Sequence, residues 1–97
     1  MHFMEREKGH VVRIVRALYP DAKVYLFGSR ARGTNRENSD LDLAVDVGRP
    51  LEINEIGQLR ALIEILYIPV PIDVVDFQRT TGDFRDRILR DRIEWES

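Results

Sequence analysis

The sequence predicts an α/β fold of the α+β kind, a small mixed β-sheet packed with helices. Two observations carry that expectation. Segments with apolar residues at helical spacing alternate with short runs rich in β-branched and aromatic residues, and glycine and proline clusters punctuate them. The order is α-β-β-α-β-α. The 97 residues make one domain, 1–97, with one core and no room for a second.

Residues 3–18 read as a helix, because Val11, Ile14, Val15 and Leu18 fall on one face while Arg13 and Arg16 lie off it. Tyr19-Pro20-Asp21 ends it. Residues 23–27 are a short β-branched and aromatic run, read as a strand. The chain turns at Gly28, residues 29–32 start a short helical turn, and 33–38 are loop. Residues 41–47 form a second strand, broken by Gly48-Arg49-Pro50. Ile56, Leu59, Ile63 and Leu66 give one apolar face to a helix over 51–66, and Pro69 and Pro71 bracket its exit. Residues 72–77 make a third strand. Asp83 is the expected N-cap of a last helix that buries Phe84, Ile88 and Leu89. Ile93-Glu94-Trp95 alternates as a short final strand does.

The formal net charge is −2, so no global basic field attracts nucleic acid, and direct nucleic-acid binding is not expected. Arg79, Arg85, Arg87, Arg90 and Arg92 alternate with Asp83, Asp86, Asp91, Glu94 and Glu96, which reads as a solvated face with ion pairs. There is no cysteine, which excludes disulfides and thiolate metal sites and agrees with a cytoplasmic location. The longest apolar run, 65–72, contains two prolines and is too short to span a membrane. The polar start MHFMEREKGH does not read as a signal peptide. So short a chain is marginal alone, and self-association or a hetero-oligomer is expected.

The chemistry lies in residues 26–45, LFGSRARGTNRENSDLDLAV. Side chains alternate along a strand, so Asp40 and Asp42 share one face while Leu41 and Leu43 point into the core. Asp73 repeats the pattern on the third strand, with Ile72 and Val74 on the other face. If the two strands are neighbours, three repelling carboxylates meet on one patch, and a hard divalent cation, Mg²⁺ or Mn²⁺, relieves that repulsion. Gly28 permits close backbone approach, and a strand turning into a helix start offers N–H groups to phosphate oxygens. Ser29 adds a hydroxyl, and Arg30 and Arg32 add positive charge. Together these make a site for a metal–nucleoside triphosphate.

Rival motifs fail on spelling. Gly28 to Gly33 begins like a P-loop, but Thr34-Asn35 follows where Lys and Ser/Thr are required. An EF-hand loop begun at Asn38 places Leu43 at the sixth position, which needs glycine.

Gly28-Ser29, ten residues, then Asp40-x-Asp42 resembles the signature of the nucleotidyltransferase superfamily of DNA polymerase beta. The fuller stretch is similar to its smallest branch, the minimal nucleotidyltransferases, many of them antitoxins paired with a HEPN-domain toxin. The resemblance covers roughly residues 10–95. It implies the nucleotidyltransferase fold. It also implies two metal ions between Asp40, Asp42 and Asp73, phosphates oriented at Gly28-Ser29, ATP as donor, and AMP transfer to a tyrosine of the HEPN partner. VPIDVVDF offers two aspartates for the third acid; family pattern and strand parity both favour Asp73 over Asp76. With no acceptor-binding domain in the sequence, the acceptor is expected to be a protein, with Trp95 or the segment 79–92 as its contact. Two alternatives stay open: a non-catalytic antitoxin that neutralises its partner by contact, and an enzyme with a small-molecule acceptor.

Other residues read more plainly. Ser39 is a turn residue at the strand start. His2 and His10 have no spacing that makes a ligand pair. Trp95 is a packing or interface residue rather than a base stacker.

Overall fold

The computed structural model describes residues 3–96, with side chains from Arg6 onward, so His2 lies outside the described residues. A four-stranded sheet in the order β3-β2-β1-β4 is built from β1 (Lys23–Phe27), β2 (Leu41–Asp46), β3 (Ile72–Asp76) and β4 (Ile93–Trp95). β1 pairs antiparallel with β2 and β4, and β2 runs parallel to β3. The helices are α1 (Phe3–Leu18), α2 (Ser29–Arg32), α3 (Ile53–Glu64) and α4 (Gly82–Asp91), with a 3-10 turn at Phe77–Arg79. This is the expected mixed sheet with its helices, and the short turn at 29–32 and the last strand both form.

Strand parity divides the core in two. Val24, Leu26, Leu41, Leu43, Val45 and Val74 face α1 and α3, which contribute Val11, Val12, Val15, Leu59 and Ile63. Tyr25, Phe27 and Ala44 face the other way and meet Phe77 and Ile88 of the 3-10 turn and α4. Burial on both faces is why β1 reads as a nearly continuous apolar run after Lys23, while β2 keeps aspartates at Asp42 and Asp46 on one face. Trp95 is only 4 % exposed, opposite Val24 in the larger core, so it is a packing residue and not an interface contact.

The ends of the elements correct several expectations. The last helix is capped by Thr81, and Asp83 sits in its first turn. Of its apolar residues only Ile88 is fully buried; Phe84 and Leu89 remain 37 % and 40 % exposed, because α4 crosses a small face made by few residues. α3 starts two residues late, at Ile53, where Glu52 and Glu55 form a reciprocal capping box. Leu51 is thereby left in the loop, buried, with its N–H donating to Asp76 at 2.7 Å and its carbonyl accepting from Arg79 at 2.8 Å. At the β3 edge, Arg60 donates from Nε and Nη2 to the Val74 carbonyl at 3.1 and 2.7 Å, which occupies an acceptor open to another strand.

Glu55 also accepts from Arg49 at 2.9 and 2.8 Å and from the Tyr19 hydroxyl at 3.2 Å. The Arg49 guanidinium and the Glu52 N–H hold its carboxyl down at about 2, against an ordinary 4.5. A lowered folded-state pKa means the contribution is complete above the ordinary value and is lost as pH falls toward 2. Glu55→Gln therefore lowers the melting temperature at pH 7, and the gap from the unsubstituted protein closes as pH falls from about 4.5 to 2, which melting curves across that range check.

Candidate active site

β1 ends at Phe27, whose cross-strand partner is Asp42. The next residue, Gly28, has φ 79 and ψ −159, a backbone closed to ordinary side chains. Conformation is only half of its role. A Cβ there would lie 3.1 Å from Cγ of Asp42 and collide with its Oδ2. The Asp42 carboxylate therefore rests on the bare α-carbon of Gly28. From Gly28 the chain turns directly into α2, and the Gly28 carbonyl accepts from Ala31 and Arg32 at 3.1 Å each.

The parallel register of β2 and β3 sets Asp73 beside Asp42. Both line a cleft of about 360 Å³ together with Phe27, Gly28, Ser29, Arg32, Phe84, Arg87 and Asp91. Burial first, then the Asp73 and Asp40 carboxylates, push Asp42 above the ordinary aspartate range, while Arg32 pulls it down. Asp40 is exposed just before β2 and acts on Asp42 through its charge without lining the cleft. Among the described residues no three acidic or histidine side chains close on one point as a ready-made metal cage. The donor set still fits a divalent cation: hard carboxylate oxygens on one strand face, and one carboxyl destabilised by its acidic neighbours.

Asp76 is a different kind of group. It is 8 % exposed and accepts from the N–H groups of Leu51 and Gln78 at 2.7 and 3.1 Å, so it anchors two chain segments. Asp46, on the same face of β2 as Asp42, is likewise occupied, accepting from Gly48 N–H and Gln78 Nε2 at 2.9 Å each.

The two arginines of α2 separate. Arg32 lines the cleft and pairs with Asp91 at 2.7 Å. Arg30, expected at the phosphates, is buried and turned into the following loop, donating to the Ser39 carbonyl at 3.1 and 2.9 Å and to the Glu37 carbonyl at 3.1 Å. Ser39 is the turn residue expected: its Oγ accepts from Arg36 N–H at 2.8 Å and its own N–H donates to the Arg36 carbonyl at 3.1 Å. Arg30 thus braces the loop that delivers Asp40. His10 lies on α1 beside Glu7, with Nδ1 3.6 Å from its carboxylate and away from the cleft.

Sequence reasoning missed Phe84, Arg87 and Asp91 in the cleft. The segment read as a solvated ion-pair face spends most of its arginines on the protein itself: Arg85 donates to the Phe77 carbonyl at 3.1 Å and lies 4.2 Å over its ring, and Arg92 lies 5.1 Å over Tyr25. Helical spacing was the available signal: residues 84, 87 and 91 fall on one stripe of α4, and 84 and 91 flank the buried Ile88 at i−4 and i+3.

A glycine-serine turn at the end of one strand, facing paired carboxylates on the next two, defines a nucleotidyltransferase centre. The chain belongs to the family of polymerase beta nucleotidyltransferases, whose model matches residues 17–94. A Haemophilus influenzae protein described as a probable protein adenylyltransferase, MntA, is 36 % identical over 80 residues, which span 82 % of this chain and 70 % of that one. Two solved structures share the fold. A toxin–antitoxin with AMP-PNP has a TM-score of 0.71 and 26 % identity, over 90 % of this chain and 71 % of the other. A minimal nucleotidyltransferase has 0.70 and 28 %, over 93 % of both. A third, a Shewanella oneidensis MNT antitoxin with its tri-AMPylated HEPN toxin, has 0.74 at 18 % identity, over 98 % and 74 %, and attests the fold alone. Among the described residues no helix is long and apolar enough to cross a membrane.

Two outcomes follow from this geometry. Gly28→Ala displaces the Asp42 carboxylate and weakens nucleotide binding by about tenfold or more, Gly28→Val does so further, and Ser29→Ala, which keeps the backbone donors, is milder. Calorimetry checks this; a folded Gly28→Val protein that binds normally removes the Gly28–Asp42 contact from the site. Second, an ionised Asp42 costs the metal-free fold stability. The folded state keeps a proton that the unfolded chain has released, so stability falls as pH rises from 3.8 through the raised value. Asp42→Asn in a chelator therefore melts higher than the unsubstituted protein at pH 7, and the two converge below about pH 3.8.

Proposed function

We propose that the chain transfers AMP from ATP to a hydroxyl, a tyrosine, of a separately encoded HEPN-type toxin, and so acts as its antitoxin. The observation that carries this reading is the placement of Asp73 beside Asp42, with Asp42 seated on Gly28 of the turn. The likeness to the adenylyltransferase MntA, and to a toxin–antitoxin holding an ATP analogue, supports ATP as donor and a toxin as acceptor. Asp42 and Asp73, with Asp40 beside them, would hold Mg²⁺, two ions in the family pattern. Bound there, the metal stabilises the departing pyrophosphate and lowers the pKa of the acceptor hydroxyl.

The residues divide the remaining work. The N–H groups after Gly28 and the Ser29 hydroxyl orient the β- and γ-phosphates. The acceptor oxygen forms a bond to the α-phosphorus as the bond from that phosphorus to the bridging oxygen breaks, and pyrophosphate leaves with the electron pair. Asp73, exposed at the strand edge, takes the acceptor's proton. Arg30 keeps the loop before Asp40 in place.

Incubation of the protein with its toxin partner, ATP and Mg²⁺ adds about 329 Da, one AMP moiety, to the partner for each transfer. Asp73→Asn reduces the rate by at least about a hundredfold, beyond the usual loss of an outer partner of a metal ligand, while leaving the fold intact. Intact-mass spectrometry reads both. A tight inhibitory complex with no mass gain under any nucleotide assigns neutralisation to contact alone.

A further inference from the structure

The cleft's charges do not balance locally. Arg32 and Asp91 neutralise each other across its rim at 2.7 Å. That leaves the Asp42 and Asp73 carboxylates, and one cation, Arg87. Arg87 is exposed, and among the described residues no carboxylate pairs with it. Its guanidinium carbon lies 5.9 Å from the ring centroid of Phe84. Phe84 is itself held edge-on against Phe27, centroids 5.8 Å apart, so the ring that steadies the cation is anchored to the end of β1, one residue before the phosphate-orienting turn.

A ligand that complements this arrangement carries a divalent cation for the aspartates and an anion for the arginine. A metal–triphosphate presents both at once. A guanidinium also grips phosphate oxygens through two parallel N–H bonds, which a point charge does not. We propose that Arg87 is the phosphate-binding cation of the cleft, contacting the donor's triphosphate, with Phe84 as the positioning residue that holds it over the site. This deepens the nucleotidyl-transfer reading and rests on it. It gives Arg87 the role that the sequence assigns to Arg30, and it makes a nucleoside triphosphate, rather than a monophosphate, the ligand the cleft selects.

The test compares Mg²⁺-ATP and AMP binding by calorimetry in the unsubstituted protein, Arg87→Gln, Arg87→Lys and Asp42→Asn. Arg87→Gln is expected to weaken ATP about tenfold or more, to leave AMP nearly unchanged, and to flatten the salt dependence of ATP binding; Arg87→Lys keeps part of the affinity. The ATP-to-AMP affinity ratio is insensitive to a fraction of unfolded protein, so it decides even where a variant melts early. An unchanged ratio in Arg87→Gln overturns the assignment. If Asp42→Asn at the same time loses ATP, the nucleotidyl-transfer site stands and only Arg87 is wrong. If the unsubstituted protein binds no Mg²⁺-ATP, both readings fall together.

Discussion

The Asp42 carboxylate packs against the α-carbon of Gly28, and the site depends on that contact. It is fixed by the antiparallel register that places Phe27 opposite Asp42, so the residue following the end of β1 must accommodate the carboxylate. Any side chain at residue 28 would push it away. A slip of one residue in the β1–β2 pairing would be worse, since it would turn Asp42 into the core and Leu43 out of it. Leu41, Leu43 and Val45, each 0 % exposed, hold the register by the burial they would lose. The parallel pairing of β2 with β3 then carries the same alignment to Asp73.

Parity alone does not make an aspartate functional here. Asp42 and Asp46 share a face of β2, yet Asp46 is occupied by a turn N–H and by Gln78, while Asp42 is left among other carboxylates. Asp73 and Asp76, by contrast, lie on opposite faces of β3, as parity predicts: one is exposed at the cleft, and the other is buried with two backbone donors. The small Ala44 between Asp42 and Asp46 admits Phe77 and Ile88 against the sheet. α4 therefore settles over the middle of this face and leaves the starts of β2 and β3 open as the cleft floor.

What the sequence made legible was whatever depends on local pattern. Strand alternation located the acidic face and the buried leucines, and the Gly28-Ser29 spacing to Asp40 and Asp42 located the turn. Long-range partners were not legible. Arg30 and Arg32 are two residues apart and look equivalent, but the loop folds back so that its carbonyls meet Arg30, while α4 brings Asp91 to Arg32 across 59 residues. Asp83 has the chemistry of an N-cap, yet Thr81 takes the position because the helix begins at Gly82. The alternating charges of the last segment concealed that its arginines meet carbonyls and aromatic rings more than carboxylates.

The raised Asp42 pKa connects this layout to function. Three acidic groups near one strand end are a cost in the metal-free protein, and burial of Asp42 is its largest part. A cation bound there removes the cost, so part of its binding free energy appears as stability of the fold. The contacts that keep the acids in place, such as Arg30 on the Ser39 carbonyl and Asp76 on the Leu51 N–H, are hydrogen bonds to backbone that need no ligand. The scaffold can therefore hold the repulsion before a ligand arrives. The fold thus prepares the acidic cluster without a ligand, and it sets the guanidinium of Arg87 along the same cleft as Asp42 and Asp73.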